Sequence, residues 1–439
     1  MTRKHLVLAL GLFYPGGEHV TSWRLPDGQP ERFLDFDYYR ELAQTAERGR
    51  FSSIFLADEL YVWDRFFSGL ESTVNERLEP FTLLGALSQA TRHIGLVATV
   101  STTYNEPYHV ARRLATLDFL SGGRAGWNLV TSASDEEARN FGLEANLDHT
   151  VRYRRGGEFV EVVNALLDSW DEGAVLADKA TGRYSDGNKV RPIDHDGEFF
   201  TVRGPLNISR PPQRRPALFQ AGASEDGKRL AAATADAVFT LGSATLEGGQ
   251  DLYRDYKQRV AAAGREPDSL AVLPLLAPVI GSTEAEARAR ADAILELTPD
   301  RVALDLLSHR LQTDLTDHDP DELFSFDFVD ASTVQQSQSA YVAIQKLVEG
   351  RSLTLRQVYQ SIAGRGFVVG TPEKVADRIE ERFTQGAADG FILMAPALPS
   401  GLADVVDHVV PLLTDRGIYP RDYEGRTLRE HLGASAVTV

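Results

Sequence analysis

The chain of 439 residues contains no cysteine. That absence excludes disulfides, thiolate metal sites and a cysteine nucleophile, because each needs a sulfur to bond, ligate or attack. Positive charge is scarce too: 46 Lys and Arg stand against 63 Asp and Glu, a formal net charge of −17. Phosphate backbones and anionic bilayers are bound by clustered cations, so neither nucleic acid nor membrane is an expected partner. Long apolar runs are missing as well. Nothing approaches the roughly 18 consecutive apolar residues of a membrane span, and the expected location is cytoplasmic. Arg3 and Lys4 ahead of the apolar run 6–13 imitate a short secretion leader. Pro15-Gly16-Gly17 ends that run without a small-x-small cleavage site, so the reading is a buried parallel strand.

What is present is ordinary globular composition, 43% apolar and 25% charged, which suffices for a large core. Short apolar runs at 6–12, 53–57, 94–100, 125–130, 217–221, 237–241, 270–280 and 390–394 read as strands. Between them, 38–48, 107–120, 152–170, 246–263, 284–297 and 373–385 carry apolar residues at helical spacing. Alternating strands and helices mean a parallel sheet, either a doubly wound sheet or a (β/α)8 barrel; periodicity alone does not choose. Residues 59–79, 173–209 and 298–366 do not fit the alternation. In a barrel these are expected as inserts in one elaborated domain over residues 1–439, roofing the carboxyl ends of the strands.

Several motifs fail on spacing. Gly364-x-Gly366-x-x-x-Gly370 is one residue too long for a dinucleotide fingerprint and follows a helical segment. Ser224 lacks the second glycine of a nucleophile elbow. The histidines include no His-x-x-x-His pair, and the acidic stretch 314–322 lacks the glycine and terminal glutamate of a calcium loop, so no metal is expected.

Four segments place polar residues where a strand runs into a helix. In Ile54-Phe55-Leu56-Ala57-Asp58, an apolar strand ends on a carboxylate, which costs desolvation unless it faces a polar ligand or an open mouth. Thr102 and Thr103 after the third strand, with Asn128 in the fourth, supply neutral donors and acceptors suited to an uncharged heteroaromatic ring. His149-x-x-Arg152-Tyr153 opens a helix with cations and a hydroxyl, an arrangement that suits a phosphate. Gly222-Ala223-Ser224 is a small-residue strand end that lets the backbone approach such an anion before the next helix begins.

Taken together, and with 103–132 as the most specific stretch, these segments resemble the flavin-dependent monooxygenases of the bacterial-luciferase-like superfamily, in the branch of nitrilotriacetate, dibenzothiophene-sulfone and long-chain alkane monooxygenases. The resemblance spans roughly residues 6–413. It implies a (β/α)8 TIM barrel that uses reduced FMN and O2 to oxygenate a small organic substrate, by N-dealkylation, sulfur oxygenation with C–S cleavage, or hydroxylation. It further implies a separate NAD(P)H:flavin reductase that delivers FMNH2 by diffusion, and a homodimer or homotetramer. Asp58 and Thr102 or Thr103 would lie beside the isoalloxazine and ribityl chain. His149, Tyr153 and Ser224, with Arg152 in the same cluster and the backbone of Gly222 and Ala223, would hold the phosphate. The glycine-rich loop from Tyr14 to Arg24 looks like the family's first βα loop, giving His19 a role near flavin and substrate. Phe119 stands where relatives often carry histidine and is expected to affect helix packing only. A deazaflavin (F420)-dependent dehydrogenase on the same superfold and a non-catalytic flavin-binding protein are the alternatives.

Overall fold

The computed structural model describes residues 5–62, 68–222, 224–311, 313–329 and 338–434. Ala223 lies outside them. Eight parallel strands, Val7–Leu12, Ser53–Leu56, Gly95–Ser101, Ala125–Val130, Ala217–Ala221, Ala237–Thr240, Ala271–Ile280 and Gly390–Leu393, each pair with the next. The eighth returns to the first, with Gly390 opposite Val7, so the sheet closes into a barrel. Every expected strand is present, because buried parallel strands are apolar on both faces and stand out as continuous runs. One further strand, Phe367–Gly370, extends the sheet outside the ring by pairing with the outer half of the ten-residue seventh strand.

Helix Pro80–Ala90 has no counterpart among the expected helices. It buries Leu83, Leu84, Leu87 and Ser88 and lacks a distinct polar face, so helical periodicity is weak. Its start is nonetheless written locally: Pro80 opens the first turn, and the Glu79 carboxylate accepts from Phe81 N and Thr82 N at 3.1 and 2.7 Å. No described helix is long and apolar enough to cross a membrane.

Inside the ring, alternate residues form one apolar cluster, with Val7, Ala9, Phe55, Val97, Phe219, Phe239 and Leu273 among its members. Its lower end is plugged by Leu428 and Leu432 from the helix Leu428–His431 and the residue after it. Gly95 and Gly126 make room for this plug: a Cβ on either would stand 2.5 and 2.7 Å from the Leu428 methyl carbons. With the amino ends of the strands stoppered, the carboxyl ends form the open mouth.

Two of the three inserts roof that mouth and one does not. The insert 298–366 carries helices Asp300–Leu311, Gln338–Val348 and Leu355–Ala363 around a core of its own, including Leu304, Leu307, Leu311 and Val358. Residues 59–79 connect the second strand to helix Pro80–Ala90 at the mouth. Residues 173–209, expected over the mouth, instead follow helix His149–Leu167 and precede the fifth strand, which is the opposite kind of connection. They form two small antiparallel pairs, Val175–Asp178 with Arg183–Ser185 and His195–Asp196 with Thr201–Val202. That insert is fastened to the helix's flank: Glu158 accepts from Phe199 N and Phe200 N at 3.0 and 2.9 Å and meets His195 Nε2 at 3.0 Å.

Candidate active site

Strand alternation decides which polar residues look into the mouth. Phe13, Ala57 and Leu275 continue the inward set of the first, second and seventh strands. The same parity turns Asn128 inward, where its Nδ2 donates to Thr99 Oγ1 at 3.1 Å. Asn128 Oδ1 is shielded and has no partner among the described residues. Thr103 is half-buried, its hydroxyl donating to Thr131 O at 2.7 Å. Thr102 does not join it: fully buried, it is wedged between the fourth strand and helix His149–Leu167, its hydroxyl bonding Val130 O at 3.3 Å and packing near Gly156.

Asp58 emerges at the end of the second strand as expected and caps no described helix. Burial pushes its carboxyl up to about 6, with Arg77 pulling the other way. The loop beyond it is held from the fourth-strand side. Glu137, buried, accepts from Leu60 N at 3.1 Å, while Asn140 Nδ2 donates to Leu60 O at 2.8 Å. Ser132, just before that bracket, adopts φ +52°, a left-handed conformation costly for a residue with a side chain, and its hydroxyl lies 2.9 Å from Ser101 Oγ. Strain of this kind persists where surrounding contacts impose it, and here those contacts define the mouth.

At the opposite rim, helix His149–Leu167 meets the start of helix Glu225–Thr234. Ser224 caps the latter, accepting from Gly227 N at 3.1 Å, which leaves its own O–H to donate elsewhere. A Cβ at Gly227 would stand about as close to Gly222 Cα and Tyr153 OH, 3.0 Å each, and 3.1 Å from Ser224 Oγ, so a glycine there keeps the cradle open. Tyr256 OH donates to Gly222 O at 2.8 Å and fixes the strand end. His149 reaches this cradle, its ring 4.8 Å from that of Tyr153, but its Nδ1 lies 3.5 Å from the Asp226 carboxylate. The free backbone N–H groups expected at its helix start are also taken, since Asp148 accepts from Thr150 N and Val151 N. Tyr153, Ser224 and Gly222 therefore come together at this rim, whereas the helix start is capped from within. Arg152 is buried away from it, close enough to Tyr104 to lower that phenol's pKa, which burial otherwise pushes up to about 12. Arg152 Nε, Tyr104 OH and Gln220 Oε1 are all shielded without partners among the described residues. Unmade hydrogen bonds in shielded positions are costly, and a polar ligand is one way to complete them.

His19 is brought to the mouth but not as an open ligand. It is 5% exposed; Thr21 Oγ1 lies 3.2 Å from its Nδ1 and Thr298 Oγ1 3.4 Å from its Nε2. Thr298 also meets Tyr359 OH at 3.1 Å, so the histidine ties the first loop to the helical insert. Burial pulls its pKa down to about 4, keeping the ring neutral. Glu18, Tyr14 and Glu137 lie on the segments beyond the strand ends and carry no local signal in the sequence, because only tertiary contact gathers them. Phe119, expected to matter for packing, is instead exposed on the barrel's flank. A groove of about 580 Å³ near it, between helices Pro80–Ala90 and Pro107–Ser121, opens away from the strand ends.

The comparisons with known proteins agree with this geometry. The profile of the luciferase-like monooxygenase family matches residues 17–389. The chain is 45% identical over 438 residues to N-acetyl-S-(2-succino)cysteine monooxygenase of Bacillus subtilis (strain 168), covering 99% of this chain and 98% of that protein. It is 45% identical over 434 residues to nitrilotriacetate monooxygenase component A of Aminobacter aminovorans, covering 96% and 95%. Among solved structures, a riboflavin lyase (RcaE) with modified FMN and substrate riboflavin superimposes with a TM-score of 0.85 at 33% identity, covering 98% of this chain and 96% of that one.

Proposed function

The chain belongs to the luciferase-like monooxygenase family, and from that premise we propose that it is the oxygenating component of a two-component system: it takes reduced FMN from a separate NAD(P)H:flavin reductase and oxygenates a small organic substrate with O2. The observation that carries this reading is the inward-facing Asn128, whose shielded Oδ1 lacks a partner among the described residues, at the barrel end where Gly222, Ser224, Gly227 and Tyr153 form a glycine-lined cradle. A flavin mononucleotide fits that donor set, with a polar ring edge, a hydroxylated chain and a phosphate. One similar structure contains modified FMN.

When bound, reduced FMN supplies the electrons that activate O2. The chain's own residues do the rest. Asn128 and Thr103 present hydrogen-bonding groups to the ring and ribityl chain, and Asp58 is the acceptor for a ring N–H. Tyr153 and Ser224 donate to the phosphate at the Gly222 strand end, and His149 adds a donor there. The helical insert and the 59–79 loop shut water out, which prevents the reduced cofactor and O2 from being spent without substrate. A separate reductase is required on this reading because the sequence offers no dinucleotide fingerprint, and one relative is itself named a component A. The two curated relatives are named for a sulfur-linked succinocysteine and for the amine nitrilotriacetate. Oxygenation next to nitrogen, or at sulfur with C–S cleavage, therefore comes first among the outcomes, ahead of hydroxylation.

Anaerobic titration with reduced FMN and reduced riboflavin tests the cradle. A charge-assisted phosphate contact is worth roughly 1.5–3 kcal/mol, so FMN should bind about one to two decades more tightly; equal affinities would remove the phosphate from this site. Tyr153→Phe deletes one donor and is expected to weaken FMN about threefold to tenfold while leaving riboflavin unaffected. A parallel loss for both flavins would place Tyr153 elsewhere.

A further inference from the structure

The first loop is a fixed post beside the mouth. Glu18 N and His19 N donate to Ala395 O and Pro396 O at 2.9 and 3.4 Å, and Leu398 N donates back to Gly16 O at 3.0 Å. A Cβ on Gly17, at φ +122°, would stand 2.5 Å from Pro396 O, so a side chain there would push the loop off the segment that follows the eighth strand. Both roofing inserts are bonded to this post. Trp23 Nε1 donates to Ser72 O of the 59–79 insert at 3.1 Å, and the Arg24 guanidinium donates to Leu297 O, just ahead of the helical insert 298–366.

Beside these single bonds stands a cluster of four polar groups. Thr298 Oγ1 lies 3.3 Å from Thr21 Oγ1, 3.4 Å from His19 Nε2 and 3.1 Å from Tyr359 OH, while Thr21 Oγ1 lies 3.2 Å from His19 Nδ1. His19, Thr21 and Thr298 thus close a ring, and Tyr359 branches from it. All four residues are buried, so they must satisfy one another. A neutral imidazole has one N–H and one acceptor nitrogen, and each hydroxyl has one O–H. Four donors therefore serve the four contacts, with none left over. Either tautomer works: a proton on Nδ1 runs the bonds one way around the ring and a proton on Nε2 runs them the other way, with Tyr359 donating to Thr298 in both. An imidazolium would bring a fifth donor to the same four contacts. Burial pulls the pKa of His19 down to about 4, so the neutral form that the ring needs is the one present near pH 7.

Thr298 takes part in three of the four contacts, and the fourth, between Thr21 and His19, lies within the first loop. Its hydroxyl is thus the only member of the cluster that joins loop to insert. Tyr359 belongs to the insert's own core with Leu304, Leu307 and Val358, so the pull of the ring is carried into the packed helices and does not end at one residue. We propose that Thr298 is a positioning residue whose hydroxyl latches the helical insert onto the first loop and so holds the mouth shut over the bound cofactor. This rests on the flavin reading of the mouth. Opening the latch strands an imidazole nitrogen and hydroxyls in a shielded place until water reaches them, which favours the closed arrangement.

Two substitutions at Thr298 separate hydrogen bonding from packing. Thr298→Val keeps the branched shape and removes the hydroxyl; Thr298→Ser keeps the hydroxyl and removes the methyl. In the flavin-free full chain, amide hydrogen exchange across helices Asp300–Leu311 and Leu355–Ala363 is expected to be about tenfold or more faster in Thr298→Val and near wild type in Thr298→Ser, with the barrel strands unchanged in both. In anaerobic stopped-flow, reduced FMN should leave Thr298→Val about threefold to tenfold faster than wild type and leave Thr298→Ser at the wild-type rate. Wild-type exchange in Thr298→Val, or a Thr298→Ser variant that exchanges as fast as Thr298→Val, would make this a packing site and overturn the proposal. Faster exchange with unaltered release of reduced FMN would overturn it too, because the ring would then staple two segments without closing the mouth. A wild-type chain that binds no reduced FMN overturns the flavin reading, and the exchange comparison still decides whether the Thr298 hydroxyl holds the insert.

Discussion

Replacing Asp58 by asparagine is expected to weaken reduced-FMN binding by about one to two decades and, at pH 8, to raise the melting temperature of the flavin-free protein. The two effects have one origin. Burial raises the folded-state pKa of Asp58 from 3.8 to about 6, so the folded protein holds this proton more tightly than the unfolded chain does. Stability is then lost as pH rises from 3.8 through about 6, and the full cost of keeping the carboxylate ionised in the mouth is present above that window. Asparagine is neutral and nearly isosteric, and it relieves that cost. The gain in melting temperature over wild type should shrink as pH falls through 6 and vanish only below about 3, where Asp58 is protonated in both states. A stabilised variant that binds cofactor poorly is the signature of a residue held in an unfavourable place for function. An Asp58→Asn protein that melts lower and binds reduced FMN as before would instead make Asp58 a structural loop residue.

The second large effect concerns electron supply. Given NADH, FMN and O2 but no reductase, the purified chain is expected to consume no NADH above background and to form no product; an unrelated NAD(P)H:flavin reductase should switch turnover on. On the two-component reading proposed above, the chain itself brings no nicotinamide to the flavin, and reduced FMN would reach the open end of the barrel by diffusion. Sustained NADH oxidation coupled to product in the absence of reductase would show a nicotinamide site that the sequence motifs do not reveal.

How much of this was legible beforehand differs between the scaffold and the site. All eight barrel strands could be read because a strand buried on both faces is a continuous apolar run, and Asp58 could be placed because such a run ends on it. Helix Pro80–Ala90 was obscured by having too little polar surface to show its period. Residues 173–209 were assigned to the mouth because irregular composition marks an insert without marking which end of the barrel it joins; the order of helix and strand around it decides that. Within the site, Tyr153, Ser224 and Gly222 meet as expected, since each sits at a strand end or helix start. Arg152 and His149 share a helix with Tyr153, but their surroundings are set by distant segments: Tyr104 for the first, Asp226 for the second. His19 was visible as a loop histidine and not as the link to Thr298, because its partners lie on the helical insert.

The claim beneath all of these is that this chain transfers an oxygen atom from O2 to its substrate at the expense of reduced FMN. The most direct measurement supplies a reductase, NADH, FMN and a panel of small amines and thioethers under isotopically heavy O2, and reads products by mass spectrometry. The account predicts one heavy oxygen atom in the product for each substrate molecule oxygenated, with none acquired from heavy water in the reciprocal experiment. Product oxygen drawn from water, or dehydrogenated product formed equally well without O2, would contradict it.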